Sequence, residues 1–537
     1  MTATGEAPRR GARYRFGPLE RRGLIAGWRG GQIGIVAAGV MVAIVVLRRR
    51  PTLPAIAIAL VVVAASVAAA WWPIAGRTAE QWLPTVVRWG SSGVGGGRRR
   101  SAGAEKRGHC IGADGAPCLA AVSADSRSPG RSAGRSVTAS LRTLGVLRRA
   151  RRPAGSGSPS GPRGLFGGLH VLGLDFRDGQ ETAAVIYDER SRTYTAVLEL
   201  LGHSFALLSS DEKERRVVSW ASVLGSLARD RSVVHRVQWL ATTVPDDGVA
   251  VRDHLATRAV LPEEAAARRS YAALLRSTGA ETCQHDVHLA VQLRATGTAA
   301  RAMRSIGGGE RAACVLLARE VASLRQALAS ADVPVERVLD ERSLAALVRR
   351  SLDGEVGDGL ACSPCGVGWP WPLVTEPEWG ALRADGSWHA TYWIAEWPRV
   401  DVGPEFLGPL LLGSVRRTVA VVMEPLSPAR AVRQVHRART ADVADAELRR
   451  RGGFLATARR AREAEVAVRR EEELADGHAS FRFSGYVSVR APSREQLAAA
   501  CDSTEHAASQ CRLELRRLYG DQEEAFLCTL PLARGLA

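Results

Sequence analysis

Two groups of cysteine and histidine residues are spaced closely enough to bind a metal or to carry redox chemistry. Cys362 and Cys365 form one CxxC pair, which supplies only half of a zinc site and is followed by Gly, Trp and Pro rather than by a helix. Cys283, His285 and His288 lie in a strand-like run, where alternation places the first two on one face and His288 on the other. Neither group therefore predicts a site, although a membrane-tethered redox or zinc enzyme that uses the CxxC pair stays an alternative.

A nucleotide-binding P-loop is excluded by the positions of the lysines. Such a loop needs Gly-Lys-Ser/Thr, with the lysine on the phosphates. The chain has two lysines, and Lys106 follows Glu105 whereas Lys213 follows Glu212. The run Gly307–Glu310 precedes a helix and could hold an anion at the helix N-terminus. Without a lysine or a GxGxxG pattern, however, this run is typical of a plain loop.

Aromatic residues cluster in one strand-like segment and comprise Trp388, Tyr392, Trp393 and Trp397. Such rings could stack on the bases of a nucleic acid. The local charge is close to neutral, so a protein core or a protein interface is the better interpretation. No serine stands in a GxSxG pattern either. The sequence thus predicts no catalytic residue, no cofactor-binding residue and no metal ligand, and the chain is predicted not to be an enzyme.

Two long apolar runs near the N-terminus contain no charge, Gly30–Leu47 and Leu53–Gly76. A helix that spans the hydrocarbon core of a bilayer needs about 20 mostly apolar residues, and its backbone must pair with itself. Pro51 suits a tight turn between the two runs. The pattern therefore predicts a transmembrane helical hairpin. Trp82 and Trp89, which follow it, are predicted to lie along the membrane surface.

Basic residues are concentrated around this hairpin. Residues 1–166 carry 26 Arg or Lys and 6 Asp or Glu, so the rest of a chain whose net charge is +18 is close to neutral. Beside a membrane, such basic residues attract anionic lipid. Six arginines flank the hairpin and three, Arg48, Arg49 and Arg50, fill its turn. The positive-inside rule therefore favours two cytoplasmic termini at the inner (plasma) membrane. The nine scattered cysteines indicate no disulfide framework, which agrees with a cytoplasmic C-terminal part.

Composition divides the chain into four parts. Residues 1–90 contain the hairpin with its basic flanks, and residues 91–165 are rich in Gly, Ser, Pro and Arg, which predicts a disordered linker. A first α+β domain is expected at 166–352 and a second α+β part at 353–537. The linker also contains three scattered residues that predict no site, His109, Cys110 and Cys118.

The last part of the chain has the clearest pattern. Phe481–Arg490 alternates as a strand, Ser493 with Gln496 opens a helix, and Gly520 is the expected helix end. The buried face of that helix is predicted from spacings of three and four residues, and it comprises Leu497, Cys501, Thr504, Ala508, Cys511, Leu515 and Leu518. Ala525–Leu530 is expected to be a final strand. Strand–helix–strand units of this kind predict a ferredoxin-like α+β arrangement.

Several segments resemble a known family. The flanks of the hairpin, Tyr14–Gly31 and Gly76–Pro84, are similar to those of the small two-helix membrane subunit of type IV secretion, the PrgI-like group. Three C-terminal segments look like the N-terminal, non-motor region of the conjugation ATPase, namely Arg469–His478, Phe483–Val489 and Phe526–Gly535. Together with Trp388–Arg399, these segments resemble an actinobacterial family of conjugal-transfer membrane proteins in which the two parts are fused.

This resemblance implies a membrane-anchored structural scaffold of a type IV secretion-like apparatus for conjugal DNA transfer. Its partners would be membrane lipid, a separate secretion-type ATPase subunit and further copies of this chain, and nucleic acid would be met only indirectly. No cofactor is required for such a role. The charge distribution leaves a second hypothesis open, a membrane-bound adaptor that binds DNA through the basic residues of Arg98–Arg152.

Overall fold

The computed structural model of the chain describes residues 30–49, 52–71, 79–94, 100–101, 144–149, 166–176, 182–201, 205–245, 255, 257–258, 262, 264–278, 283–352, 371–372, 374–451 and 458–536. Every structural statement below concerns these residues. Cys362, Cys365, His109, Cys110 and Cys118 lie outside them.

The described helices are α1 Gly30–Arg49, α2 Leu53–Trp71, α3 Ala79–Val94, α4 Ser210–Leu227, α5 Ala266–Thr278, α6 Gly297–Ser305, α7 Gly309–Ser330, α8 Glu341–Leu352, α9 Gly408–Leu411, α10 Pro428–Arg451, α11 Ala458–Ala475, α12 Arg494–Gln510 and α13 Gln522–Leu527. The described strands are β1 Arg100–Ser101, β2 Leu144–Arg149, β3 Leu169–Phe176, β4 Thr182–Asp188, β5 Thr193–Leu200, β6 Val234–Pro245, β7 Cys283–Arg294, β8 Val335–Val338, β9 Val374–Pro377, β10 Leu382–Ala384, β11 Ser387–Glu396, β12 Arg417–Leu426, β13 Ser480–Ala491 and β14 Glu514–Arg517.

The described strands form one sheet in which neighbouring strands are antiparallel. Its order is β1-β9-β10-β11-β13-β12-β6-β7-β5-β4-β3-β2, while β14 pairs with β11 and β8 pairs with β5. Antiparallel strands with helices between them make a fold that mixes α and β structure, in agreement with the α+β prediction at that level.

Two sets of strands within this sheet have the same order. In the first set, β5, β6, β7 and β8 follow one another in the chain and lie in the order β8-β5-β7-β6. In the second set, β11, β12, β13 and β14 lie in the order β14-β11-β13-β12. A hairpin precedes each set in the chain, β3–β4 before the first set and β9–β10 before the second. Each hairpin extends the sheet outward from its set. The two sets meet where β6 pairs with β12, that is, through their second strands.

Strand alternation gives the sheet two buried faces. Val237 and Val291 point to one face, which packs against α4, α6 and α7 in the first set and continues over α9 and α12 in the second. Leu240 and Ala290 point to the opposite face, which is covered by α8 and by the C-terminal segment, residues 522–536, of which α13 is a part. The sheet is therefore the middle layer of three.

Two buried glutamines fasten the C-terminal segment to the centre of the sheet. Gln238 on β6 donates from Nε2 to the Cys528 carbonyl at 2.8 Å, and its Oε1 accepts from the Ala533 amide at 2.7 Å. Gln292 on β7 donates from Nε2 to the Leu532 carbonyl at 2.8 Å. Gln238 has no exposed surface and Gln292 is 3% exposed. Their side-chain amides bond backbone groups of the C-terminal segment that would otherwise be buried without a partner, as a neighbouring strand would do.

The same segment contacts strands on both sides of the joint. At its start, Gln522 accepts from the Thr391 amide at 2.8 Å and donates to the Thr391 carbonyl at 3.2 Å, which fixes it to β11. Near its end, Arg534 pairs with Asp188 of β4 at 2.6 Å. The C-terminal segment thus bridges the joint between the two sets from one side to the other.

The helix α12 ends earlier than the sequence predicts, at Gln510 rather than at Gly520. Arg512 adopts a left-handed conformation with φ of 58°, and the Leu513 amide donates to the Ala508 carbonyl at 2.9 Å. This is the geometry of a Schellman cap, in which glycine usually occupies the left-handed position. Because an arginine stands there, the sequence contains no signal for the helix end.

Two further predictions in this region are wrong. Leu515 lies in β14 and Leu518 follows that strand, so neither belongs to the buried face of α12. Ala525–Leu530 forms no strand, because α13 occupies its first half and the C-terminal segment is held by side chains. The other residues of the predicted face are buried as expected, namely Leu497, Cys501, Thr504, Ala508 and Cys511.

Near the N-terminus, α1 and α2 lie side by side. A Cβ atom built on Gly39 would fall 2.3 Å from Ser66 Oγ, so the helices approach each other closely at this glycine. Among the described helices, Leu53–Ala70 is the stretch long and apolar enough to cross a membrane, with a mean hydropathy of 2.5. The apolar part of α1, Gln32–Arg48, is shorter. The apolar helix agrees with the predicted membrane segment, and the hairpin of two spans stays a prediction.

The described strands form one continuous sheet that crosses the boundaries of the predicted four-part division. Inside residues 91–165 the structure describes the end of α3 and two short strands, β1 and β2, which lie at opposite ends of the sheet. Strands from both sides of the expected boundary at residue 352 pair directly, since β6 precedes it and β12 follows it. The domain division and the disordered linker stay predictions.

Replacing Gln238 by leucine is expected to lower the free energy of unfolding by about 2–4 kcal/mol, because the buried Cys528 carbonyl and Ala533 amide both lose their partner. The matched control is Gln284→Leu, since Gln284 is exposed on β7 and bonds Asp286 at the surface. Urea-induced unfolding of both variants and the parent chain in one detergent measures the difference. Equal stability of the two variants would contradict the role assigned to Gln238.

Candidate functional site

Three tryptophans hold α3, the helix that follows the apolar pair, against the sheet. Trp82 stacks on Trp379 with 5.6 Å between ring centroids and 21° between ring planes. Trp89 meets the same indole edge-on at 5.6 Å and 75°. The spacing of seven residues puts Trp82 and Trp89 on one face of the helix. The structure therefore packs both rings against Trp379, and their position along the membrane surface stays a prediction.

A polar contact completes this attachment. Thr85, between the two tryptophans on the same face, is 6% exposed and donates from Oγ1 to Asp521 Oδ2 at 3.3 Å. Gly520 beside it is left-handed, with φ of 73°, and a Cβ atom there would fall 2.6 Å from Thr85 Cγ2 and 2.8 Å from the Trp379 ring. In the sequence, Gly520 is predicted to end a helix. The structure instead requires glycine there because α3 approaches the backbone.

A charged cavity of about 1200 Å³ lies where the start of α4 meets the loop after β11 and the helix α11. Its charged side chains are divided equally between the two signs and comprise Lys213, Arg399, Arg462, Arg512, Glu214, Asp401, Glu405 and Glu465. Lys213 is buried and forms an ion pair with Glu405. Because opposite charges cancel over short distances, the cavity has no dominant field that would select a polyanion. Sequence reasoning missed this cavity, since its residues come from four distant segments.

The group of Cys283, His285 and His288 does not converge. Thr243 Oγ1 lies 3.3 Å from His285 Nδ1 on the face that packs against helices, and Cys283 approaches the Ser414 carbonyl there. His288 points to the opposite face and is 1% exposed, and burial lowers its pKa. Strand alternation predicts this division. Within the described residues, no group of three or more His, Cys, Asp or Glu could hold a metal ion.

The glycine run before α7 is a turn between two helices. Gly307, Gly308 and Gly309 all have positive φ, at 101°, 69° and 74°. The Gly308 amide donates back to the Met303 carbonyl of α6 at 2.9 Å. Three consecutive left-handed residues explain the glycines by backbone geometry alone, which agrees with the plain-loop interpretation.

The aromatic residues of β11 are used in packing. Tyr392 is 1% exposed and donates to Glu505 Oε1 at 2.8 Å, and Trp393 on the other face donates from Nε1 to Ser484 Oγ at 3.1 Å. Trp397 meets a phenylalanine edge-on, with 5.4 Å between centroids. Trp388 and Trp397 pack in the same cluster as Tyr392, and Trp393 packs in the cluster on the opposite face, so the prediction of core packing agrees with the structure.

A buried histidine connects β11 to α8. His389 is 1% exposed, its Nε2 lies 2.9 Å from the Leu352 carbonyl, and its ring centroid lies 4.6 Å from that of Phe526. Burial and the nearby charge of Arg490 lower the pKa of His389 to about 3. The ring is therefore neutral near pH 7, and Nε2 carries the proton because its partner is an acceptor.

Comparison with known families gives one match. Residues 281–394 match the family model of EccE, described as a putative type VII ESX secretion system translocon. The matched stretch runs from β7 to β11 and covers about a fifth of the chain. It is the part that links the first set of strands to the second. A search among curated proteins found no match.

This match agrees with the resemblance noted in the sequence at one level only. Both families belong to secretion systems, and EccE is a type VII component. It is not the type IV conjugation family that the flanks of the hairpin and the segments after Trp388 resemble. The family match and the resemblance therefore agree that the chain is similar to membrane components of secretion systems.

Replacing Trp379 by alanine is expected to detach α3 from the sheet, because two aromatic contacts worth roughly 1 kcal/mol each are lost. Amide hydrogen exchange in residues 79–94 should become roughly tenfold faster or more. Trp397→Ala serves as the control, since it removes an indole that meets Phe483 instead of α3. Unchanged exchange in α3 of the Trp379 variant would contradict the attachment.

The depressed pKa of His389 makes stability fall in acid. Between pH 6.5 and about 3 the unfolded chain binds a proton that the folded chain lacks, so this group lowers the free energy of unfolding by up to about 1.4 kcal/mol per pH unit as the pH falls. In His389→Gln, the slope of the free energy of unfolding against pH should decrease by up to about 1.4 kcal/mol per pH unit over this range, which corresponds to one proton. His506→Gln, at an exposed site on α12, is the matched control. Equal slopes in all three proteins would refute the buried neutral ring.

Proposed function

We propose that this chain is a membrane-anchored structural component of a secretion translocon of the type VII ESX kind. The observation that carries the proposal is the match of residues 281–394 to the EccE family model. The apolar stretch Leu53–Ala70 supports a location in the membrane. The proposal keeps the structural role that the sequence implies, and it replaces the type IV conjugal apparatus by a type VII system.

The two sets of strands are proposed to be two ferredoxin-like units joined edge to edge. In each set the fourth strand pairs with the first, the first with the third and the third with the second. Helices between the first and second strands and between the third and fourth pack on one face, although α9 in the second set is only one turn long. A sheet that is continuous across both units would act as one rigid body, which suits a scaffold.

The membrane part is proposed to be a hairpin of α1 and α2 with both termini in the cytoplasm at the plasma membrane. The close approach at Gly39 and Ser66 supports paired helices, since small residues let helix backbones pack closely in lipid. Gln32 Nε2 donates to the Ala70 carbonyl at 3.0 Å, which joins the start of α1 to the end of α2. The sheet would then lie on the cytoplasmic side, where α3 holds it near the bilayer.

A role without catalysis is part of the proposal. Its support is that the side chains that could carry chemistry do not come together in a site. His288 and His285 lie on opposite faces of the sheet, and Lys213 forms an ion pair with Glu405. A structural subunit works through contacts with other proteins, so contacts with a secretion-type ATPase and with further copies of this chain are part of the same proposal. The helices α10 and α11 offer a polar surface for such contacts, joined by an ion pair between Arg439 and Glu471.

Deleting residues 30–76 tests the anchor. We expect the shortened chain to appear in the soluble fraction after cell lysis, because the apolar helices are removed. A deletion of similar length, residues 102–143 of the predicted linker, is the control and should leave the protein in membranes. Retention of the first variant in membranes after an alkaline carbonate wash, which removes proteins bound only at the surface, would overturn the assignment.

Purification of the tagged full chain from its own membranes in mild detergent tests the structural role. We expect the protein to migrate on a native gel in an assembly well above its own 57.4 kDa, together with other subunits of a secretion translocon. The variant that lacks residues 30–76 should be absent from that assembly. Recovery of the full chain alone would argue against a scaffold.

A further inference from the structure

We propose that α3 is an interfacial membrane helix whose outer face lies in the headgroup and upper acyl region of a bilayer. The occupant of this face is a lipid surface. The inference rests on the proposed anchorage of α1 and α2, and it adds a second, surface contact between the protein and the membrane.

The outer face of α3 is apolar and exposed. Leu83, Val86 and Val87 are 64%, 50% and 61% exposed, and helical spacing places them together. Trp82 and Trp89 on the other face are engaged with Trp379. The helix therefore separates two apolar surfaces, one already covered by protein and one covered by nothing in the described structure.

The position of α3 in the chain brings this exposed face to the membrane. Seven residues separate Trp71, the end of α2, from Ala79, so the two ends are at most about 28 Å apart. The helix also lies beside both α1 and α2. With 16 residues it is about 24 Å long, which is too short to span a hydrocarbon core of about 30 Å. A helix too short to span, with one apolar face exposed beside a membrane anchor, is expected to lie in the plane of the interface.

Lipid fits this face better than a protein partner does. The exposed side chains Leu83, Val86 and Val87 are aliphatic and offer no hydrogen bond, whereas the centre of a typical protein interface contains aromatic residues or arginine. The face also adjoins helices whose outer residues are equally apolar, for example Met41 and Val61, both 67% exposed. One apolar surface would thus continue from the span onto α3.

This contact would fix the orientation of the sheet. Because Trp82 and Trp89 attach α3 to Trp379, next to β9 and β10, the outer end of the second set of strands would be held at the bilayer surface. The joint between β6 and β12 would then point away from that attachment, and the sheet could not turn freely about a flexible connection.

Photocrosslinking from single positions of the full chain tests the inference. The residue p-benzoylphenylalanine replaces Val86 on α3, Val61 on α2 or Val218, which is 61% exposed on α4. Each protein is reconstituted in vesicles of phosphatidylethanolamine and phosphatidylglycerol, irradiated, and analysed for lipid adducts by mass spectrometry. We expect adducts from positions 61 and 86 and at least tenfold less from position 218.

The outcomes separate this inference from the proposed function. Adducts at position 61 without adducts at position 86 would overturn the interfacial placement of α3 and leave the anchor intact. An absence of adducts at both positions would overturn the anchor itself. Equal adducts at positions 86 and 218 would also refute the inference, since contact with lipid would then not distinguish α3 from the rest of the surface.

Discussion

Main-chain pairing between β6 and β12 joins the two sets of strands. The register runs from Arg417 opposite Thr243 to Met423 opposite Val237. Without this pairing, the second strand of each set would be an open edge with a row of unpaired amides and carbonyls. Side chains add to the joint, since the Thr242 and Thr418 hydroxyls lie 3.3 Å apart and the partly buried Arg236 pairs with Glu424 at 3.3 Å. Both buried faces of the sheet continue across this line only because the register is fixed.

The C-terminal segment, residues 522–536, depends on that joint and covers it. It contacts β11 through Gln522, β6 through Gln238 and β4 through Arg534, so its path requires both sets in their observed positions. Next to the apolar helices, α3 uses Trp379 in a comparable way and connects them to the hairpin β9–β10 that precedes the second set. Within the described residues, one continuous sheet is held to the apolar helices through α3, an arrangement suited to a structural subunit. The EccE match falls on the stretch that connects the two sets.

Local patterns in the sequence predicted a large share of the elements. The apolar run within α2, the start of α12 at Ser493 and the alternation that divides His285 from His288 are all present in the structure. These features depend on residues close together in the chain, where composition, period and capping have direct structural meaning. The same patterns placed Tyr392 and Trp393 in packing and Gly307 in a turn. For the candidate site, they correctly favoured structural interpretations of the residues that could carry chemistry.

By itself, then, the sequence determined the apolar helix, the alternating strands and the class of fold, because each follows from local periodicity. Only the tertiary structure decided where α12 ends, because Arg512 adopts a left-handed conformation that an arginine in the sequence does not predict. It also decided that Trp82 meets Trp379, that Gly520 makes room for Thr85 and that Gln238 holds the C-terminal segment. Each of these contacts joins residues hundreds of positions apart. No local pattern encodes such a pairing, and the free energy that selects it exists only once the sheet has assembled.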